Sequence, residues 1–167
     1  TTIYNLQQKS SQNQFYFIQS TITLEGDIDI SIMKKSWQTL INNFDILRSS
    51  FHNAGEPVQV VMDQVTLDIK EFSFNIDDDI DTHWNNIVTK DKSSLFEPMD
   101  APQIRLTFVS IGDNIIKILI THNQIILDGW SFRILFKNLI FYYKSFLKKI
   151  ELPQIKYYQM KPYIEYI

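Results

Sequence analysis

Three observations predict an α/β fold, specifically an α+β sandwich in which helices cover a mixed β-sheet. Runs of alternating, β-branched character are interleaved with segments whose apolar residues recur every three to four positions. Gly112, Asp113 and Asn114 separate two long strand-like runs and mark a hairpin. No internal repeat or low-complexity tract breaks the chain, and 167 residues with 44% hydrophobic content suit a single unit over 1–167 with one core.

The elements follow in order. Residues 15–24, FYFIQSTITL, read as a strand with Ile18, Ser20, Ile22 and Leu24 on one face, ended by Gly26. Asp27 or Asp29 then caps a helix whose buried stripe is Met33, Trp37, Leu40, Ile41 and Phe44. Residues 46–51 are expected to be extended, and Asn53, Gly55 and Pro57 turn the chain into a short strand, VQVVM. A third short strand is expected over 65–72. Asp77, Asp78, Asp79 and Asp81 precede Trp84, Ile87 and Val88, which predicts a helix with negative charge at the end its dipole favours. A metal site there would lack the glycine and the twelfth-position glutamate of a calcium loop. The hairpin occupies 104–109 and 115–122, and residues 130–147 are apolar on almost every side, as for a helix packed between a sheet and another body. The remainder, rich in Pro, Tyr and Lys, reads as a connector.

Composition excludes several functions. Sixteen basic against nineteen acidic residues leave a net charge of −3, which gives no electrostatic support for nucleic acid. The absence of cysteine rules out disulfides, a thiolate nucleophile and a Cys-ligated zinc site. No apolar run reaches the roughly 20 residues a membrane helix needs, so a cytoplasmic protein without a membrane partner is expected. Isoleucine (26 residues, against two alanines) fills the core positions. His52 and His83 read as surface or capping residues, and Ser49, Ser50 and Ser131 lack the setting of a nucleophilic elbow. Lys144, Lys148, Lys149, Lys156 and Lys161 form a positively biased stretch that is either a solvated face or an attraction for an acidic partner.

The most informative stretch is THNQIILDGWS, residues 121–131, a strand end followed by a polar loop and Asp-Gly at a helix entrance. Together with NFDILRSSF at 43–51, EPVQVV at 56–61 and FEPMDAPQIRLTFVSIGDN at 96–114, it resembles the condensation domains of nonribosomal peptide synthetases. YNLQ near the start and KPYIEYI at the end fall where that family has similar segments. The resemblance implies a chloramphenicol-acetyltransferase-like fold of two lobes with the active site in a tunnel between them. The chain then corresponds to the N-terminal lobe, and the C-terminal lobe is a partner it requires. It also implies peptidyl or acyl carrier proteins as partners, substrates held on phosphopantetheine arms, and no directly bound cofactor or metal.

The family's motif is HHxxxDG. Anchored on Asp128 and Gly129, it places the first histidine at Asn123 and the second, catalytic one at Gln124. His122, one residue upstream, is a possible substitute if it shares a face with Gln124. The resemblance further implies a structural salt bridge between Asp128 and Arg105, with Gly129 allowing tight entry to the following helix. The expected function is therefore amide-bond formation between carrier-bound thioesters, impaired by loss of the base. A non-catalytic docking or recruitment module, an epimerisation-domain lobe and a more distant acetyltransferase trimer are the alternatives. The apolar helix at 130–147 also suggests self-association of an isolated lobe.

Overall fold

In a computed structural model, residues 17–53 and 55–152 are described. The YNLQ and KPYIEYI segments, and most of the expected connector, lie outside them. Four strands form the main sheet in the order β1, β6, β5, β4, where β1 is Phe17–Glu25, β4 is Asp68–Phe74, β5 is Ile104–Ile111 and β6 is Ile115–Asn123. β6 runs antiparallel to both β1 and β5, whereas β5 and β4 are parallel. The sheet is mixed, as the alternation of elements predicted.

Alternation along β6 decides what each face carries. Ile116, Ile118 and Ile120 stand in register with Leu24, Ile22, Leu106 and Phe108; the β5 and β6 residues belong to the core, and Ile22 and Leu24 pack half-buried against it. Two helices cover this face: α1 (Ile30–Asn43) and α3 (Gly129–Leu147), which also pack on each other. Trp37 of α1 is fully buried and meets Phe136 of α3 edge-on at 6.5 Å. The odd-numbered residues of β6 face the other way, toward α2 (Ile80–Lys92): Lys117 lies over the Trp84 ring and Thr121 reaches Asp91. Three layers result, with the sheet in the middle.

Local chemistry sets the boundaries. Of the two candidate caps for α1, Asp29 does the work, accepting from the Ile32 N–H at 2.9 Å. Asp79 does the same for α2 through Thr82, which draws on the predicted acidic run. Residues 45–48 are not extended: Asp45–Arg48 form one 3-10 turn, closed by the Asp45–Arg48 ion pair at 2.7 Å, three residues apart. A separate ribbon of β2 (Ser49–Asn53) and β3 (Pro57–Val61) follows. β4 starts at Asp68, later than its sequence pattern suggests, because Gln38 of α1 donates to the Val65 carbonyl and accepts from the Leu67 N–H. Backbone groups engaged by a side chain are withdrawn from the ladder. The sheet and the helices on its two faces thus meet around the C-terminal end of β6, the strand that leads into the polar loop.

Candidate functional site

The motif residues run from the end of β6 through the loop to the first residue of α3, and the structure separates them sharply by environment. His122 and Asn123 are buried, whereas Gln124, Asp128 and Gly129 are exposed. Asn123 is the last residue of β6; its N–H donates to the Gln103 carbonyl at 2.9 Å. Its side chain spans two partners: Nδ2 donates to Gln103 Oε1 at 3.0 Å, and Oδ1 accepts from the Ile125 N–H at 3.0 Å. The second bond turns the chain just after the strand, so Gln124 projects from the sheet end into the open.

His122 does not share the face of Gln124. It points into the helical side of the sheet, where its ring stacks on Phe132 with centroids 5.8 Å apart and Nδ1–H donates to the Asn123 carbonyl at 3.3 Å. Burial pushes its pKa below the ordinary histidine value, partly opposed by that hydrogen bond. A neutral imidazole packed against a phenyl ring on the core side is not placed to serve a reaction at Gln124. Strand alternation extends only as far as Asn123, so the two-residue spacing carries no common face.

The expected Arg105–Asp128 salt bridge is also corrected. Asp128 caps α3, its carboxylate accepting from the Ser131 N–H at 2.7 Å, and hydrogen bonds from Ser131 lower its pKa. Arg105 instead pairs with Asp91 at the end of α2: Nε donates to Oδ1 at 2.6 Å and Nη2 to Oδ2 at 3.2 Å. Nη2 also donates to the Asp91 carbonyl at 2.8 Å and the Ser94 carbonyl at 2.7 Å, and the guanidinium lies over Phe96. The reason is geometric. Arg105 is in register with Thr121 on the α2 face, whereas Asp128 must stay at the first turn of α3 to satisfy its open N–H groups. Gly129 opens α3 as expected.

Asp91 is the centre of a buried cluster. Besides Arg105 it accepts from Thr121 Oγ1 at 2.6 Å and Gln19 Nε2 at 2.8 Å, so β1, β5 and β6 all reach it. Burial alone would raise its pKa, but the hydrogen bonds from Arg105, Thr121 and Gln19 and the guanidinium charge together hold it below the usual carboxylate value. The carboxylate stays ionised and clamps three strands beneath the motif loop. On the loop's other flank lies an apolar cleft of about 350 Å³, lined among others by Phe44, Ile46, Ile126, Ile134 and Leu135. Beside it Trp130 is 77% exposed. Among the described residues no group of His, Asp and Glu is placed to hold a metal ion, and no helix is long and apolar enough to cross a membrane.

The family model of the condensation domain matches residues 1–167, the whole chain. The chain belongs to the condensation-domain family. Its similar relatives are nonribosomal peptide synthetases: it is 28% identical over 163 residues to a component of the linear gramicidin synthase of Brevibacillus parabrevis, covering 94% of this chain and 2% of that protein. Surfactin synthase subunit 2 of Bacillus subtilis (strain 168) is 32% identical over 144 residues, covering 86% of this chain and 4% of that protein. Among solved structures, the starter condensation domain of rhizomide synthetase superposes with a TM-score of 0.85 at 13% identity, covering 99% of this chain and 42% of that one. The first condensation domain of the calcium-dependent antibiotic synthetase gives 0.86 at 12% identity, over 98% and 40%. This condensation-domain chain thus spans a few per cent of its curated relatives' length and about two fifths of a solved condensation domain.

Two buried residues that support the motif loop escape the sequence pattern: Asp91 and Gln103. Asp91 carried a faint signal, an acidic residue in the last turn of a helix, where the dipole disfavours it unless a cation holds it there. Gln103 carried none. It is fully buried, follows the cis Ala101-Pro102 peptide, and donates through Nε2 to the carbonyls of Glu97 and Asp100, both at 2.6 Å.

Proposed function

We propose that this chain is the N-terminal lobe of a peptide synthetase condensation domain that keeps the architecture of its site but lacks the base for efficient amide formation. In this reading the C-terminal lobe closes over the motif loop, and cytoplasmic carrier proteins deliver both substrates on phosphopantetheine arms. The acceptor amine attacks the donor thioester carbonyl, the C–N bond forms as the C–S bond breaks, the thiol leaves, and the amine gives up a proton. Gln124, exposed at the loop crest, can accept a hydrogen bond from that amine through Oε1. It cannot take the proton near neutral pH, which forfeits roughly 10²–10⁴-fold of rate.

The observation that carries this reading is the contrast within the loop: the shaping contacts of Asn123 and Asp128 are intact, while position 124 is open and holds an amide. His122, the adjacent imidazole on β6, is stacked away from it. The test is the complete domain assayed with loaded donor and acceptor carrier proteins, following the condensed thioester by mass spectrometry. Negligible product is expected from the native sequence, and Gln124→His is expected to raise the rate by about 10² or more. Robust product from the native protein, unchanged by Gln124→Ala, would overturn the reading. The exposed Trp130 and the adjoining cleft favour a second reading, a docking module: loaded carrier would then bind the complete domain without turnover even when Gln124 is replaced by histidine.

A further inference from the structure

We infer that Gln103 and Asn123 act as a single positioning unit for residue 124, so that the two altered motif positions are not equivalent: 124 can take back a histidine and 123 cannot. The inference rests on the loop being a kept condensation site, and it adds which residue holds that loop in shape.

Gln103 is fully buried, and each face of its amide is used: Nε2 gives its two protons to Glu97 O and Asp100 O, while Oε1 accepts from Asn123. Asn123 passes the connection on, since the amide that donates to Gln103 carries the oxygen that accepts from Ile125 N–H. A backbone bond from Asn123 N–H to Gln103 O runs beside the side-chain bond. The 97–100 segment, the start of β5 and the motif loop are therefore one connected set, and Gln124 is the residue suspended between its last two members, Asn123 and Ile125.

An imidazole at 123 cannot replace this amide. Where asparagine offers a nitrogen and an oxygen on the same carbon, histidine offers one nitrogen and one carbon, with its second nitrogen displaced outward along the ring. One of the two bonds is lost: either the buried Gln103 oxygen or the Ile125 N–H is left without its partner, and the turn that aims residue 124 loosens. A displacement of about 1 Å in a reacting group can cost about 10²-fold in rate.

The experiment uses the complete domain, with condensation rate and hydrogen exchange both measured. In the rate arm, Gln124→His is expected to outperform the double variant Asn123→His with Gln124→His by at least tenfold, and Gln103→Met added to Gln124→His is expected to lower kcat with little change in KM. In the exchange arm, Gln103→Met alone, similar in size and without the amide, is expected to speed exchange at Ile125 N–H while leaving the central β5–β6 ladder around Leu106 and Ile120 protected. A double-histidine variant faster than Gln124→His would overturn the inference while upholding the missing base. If no histidine variant gains activity, the reading of the missing base falls and the exchange arm decides the inference alone: unchanged exchange at Ile125 refutes it.

Discussion

Replacing Arg105 with alanine tests the buried cluster beneath the motif loop. The guanidinium makes two bonds to the Asp91 carboxylate and two to backbone carbonyls, and both side chains are almost wholly buried. Its loss leaves an ionised carboxylate in the interior with Thr121 and Gln19 as its remaining side-chain donors, a situation that costs about 3–5 kcal/mol. Removing Asp91 as well takes away the orphaned charge, so the double variant Asp91→Ala with Arg105→Ala should be less destabilised than the sum by about 1–3 kcal/mol. The pH dependence has a definite sign. In the native protein Asp91 has a lowered pKa, so its contribution is present above the unfolded carboxylate value near 3.8 and is lost as pH falls through the folded value. In Arg105→Ala burial is opposed by fewer partners, the folded pKa rises, and protonation relieves the variant. The difference in stability between native and variant should therefore be full at pH 7 and shrink toward pH 3. Urea denaturation followed by fluorescence of the three tryptophans measures all of this. Strict additivity, or a difference constant from pH 7 to pH 3, would refute the idea that Arg105 acts by neutralising Asp91.

Three further outcomes are expected. Asp128→Ala removes an exposed helix cap and should lower the urea midpoint by less than Arg105→Ala does, adding to that variant without interaction in the same denaturation series. Lys149 stands at φ 53° just past α3, where the Lys149 and Ile150 N–H groups bond back to Phe146 and Ser145, so Lys149→Gly should raise the melting midpoint, corresponding to about 0.5–1 kcal/mol. His122 is held neutral by burial, so it contributes stability above the unfolded histidine pKa near 6.5 that is lost as pH falls below it; His122→Phe should flatten the decline in stability between pH 7 and pH 5, and a profile identical to the native one would show that His122 does not titrate with folding.

Much of the scaffold is legible from residue patterns because single faces dominate it. The α1 stripe from Met33 to Ile41, the three-residue hairpin loop at Gly112 and the alternation of β6 appear where the local pattern places them, while Phe44, the last expected member of the stripe, falls on the extended residue that ends α1. Elements governed by a distant side chain are not legible in this way. Gln38 delays the start of β4 from 27 and 29 residues away, and no local pattern at 65–67 announces it. The site divides along the same line. Position 124 could be placed only through the family motif anchored on Asp128 and Gly129, whereas the cap role of Asp128 and the partner of Arg105 could not, because Asp91 is brought to Arg105 by the packing of α2 across the sheet. Gln103 is the extreme case, a neutral polar residue whose role exists only in the folded arrangement.

The central place of β6 also has a consequence in time. About 90 residues separate the end of β1 from the start of β6, its neighbour in the sheet among the described residues. At synthesis rates of about 5–20 residues per second, β1 has left the ribosome for roughly 5–18 seconds before the strand that covers its edge exists. Throughout that interval Ile22 and Leu24 have no sheet to join, and the chain cannot close its core by local contacts alone. The strand that leads into the motif loop is thus the one whose arrival completes the sheet, and the core closes only when α3, next in the chain, packs over it.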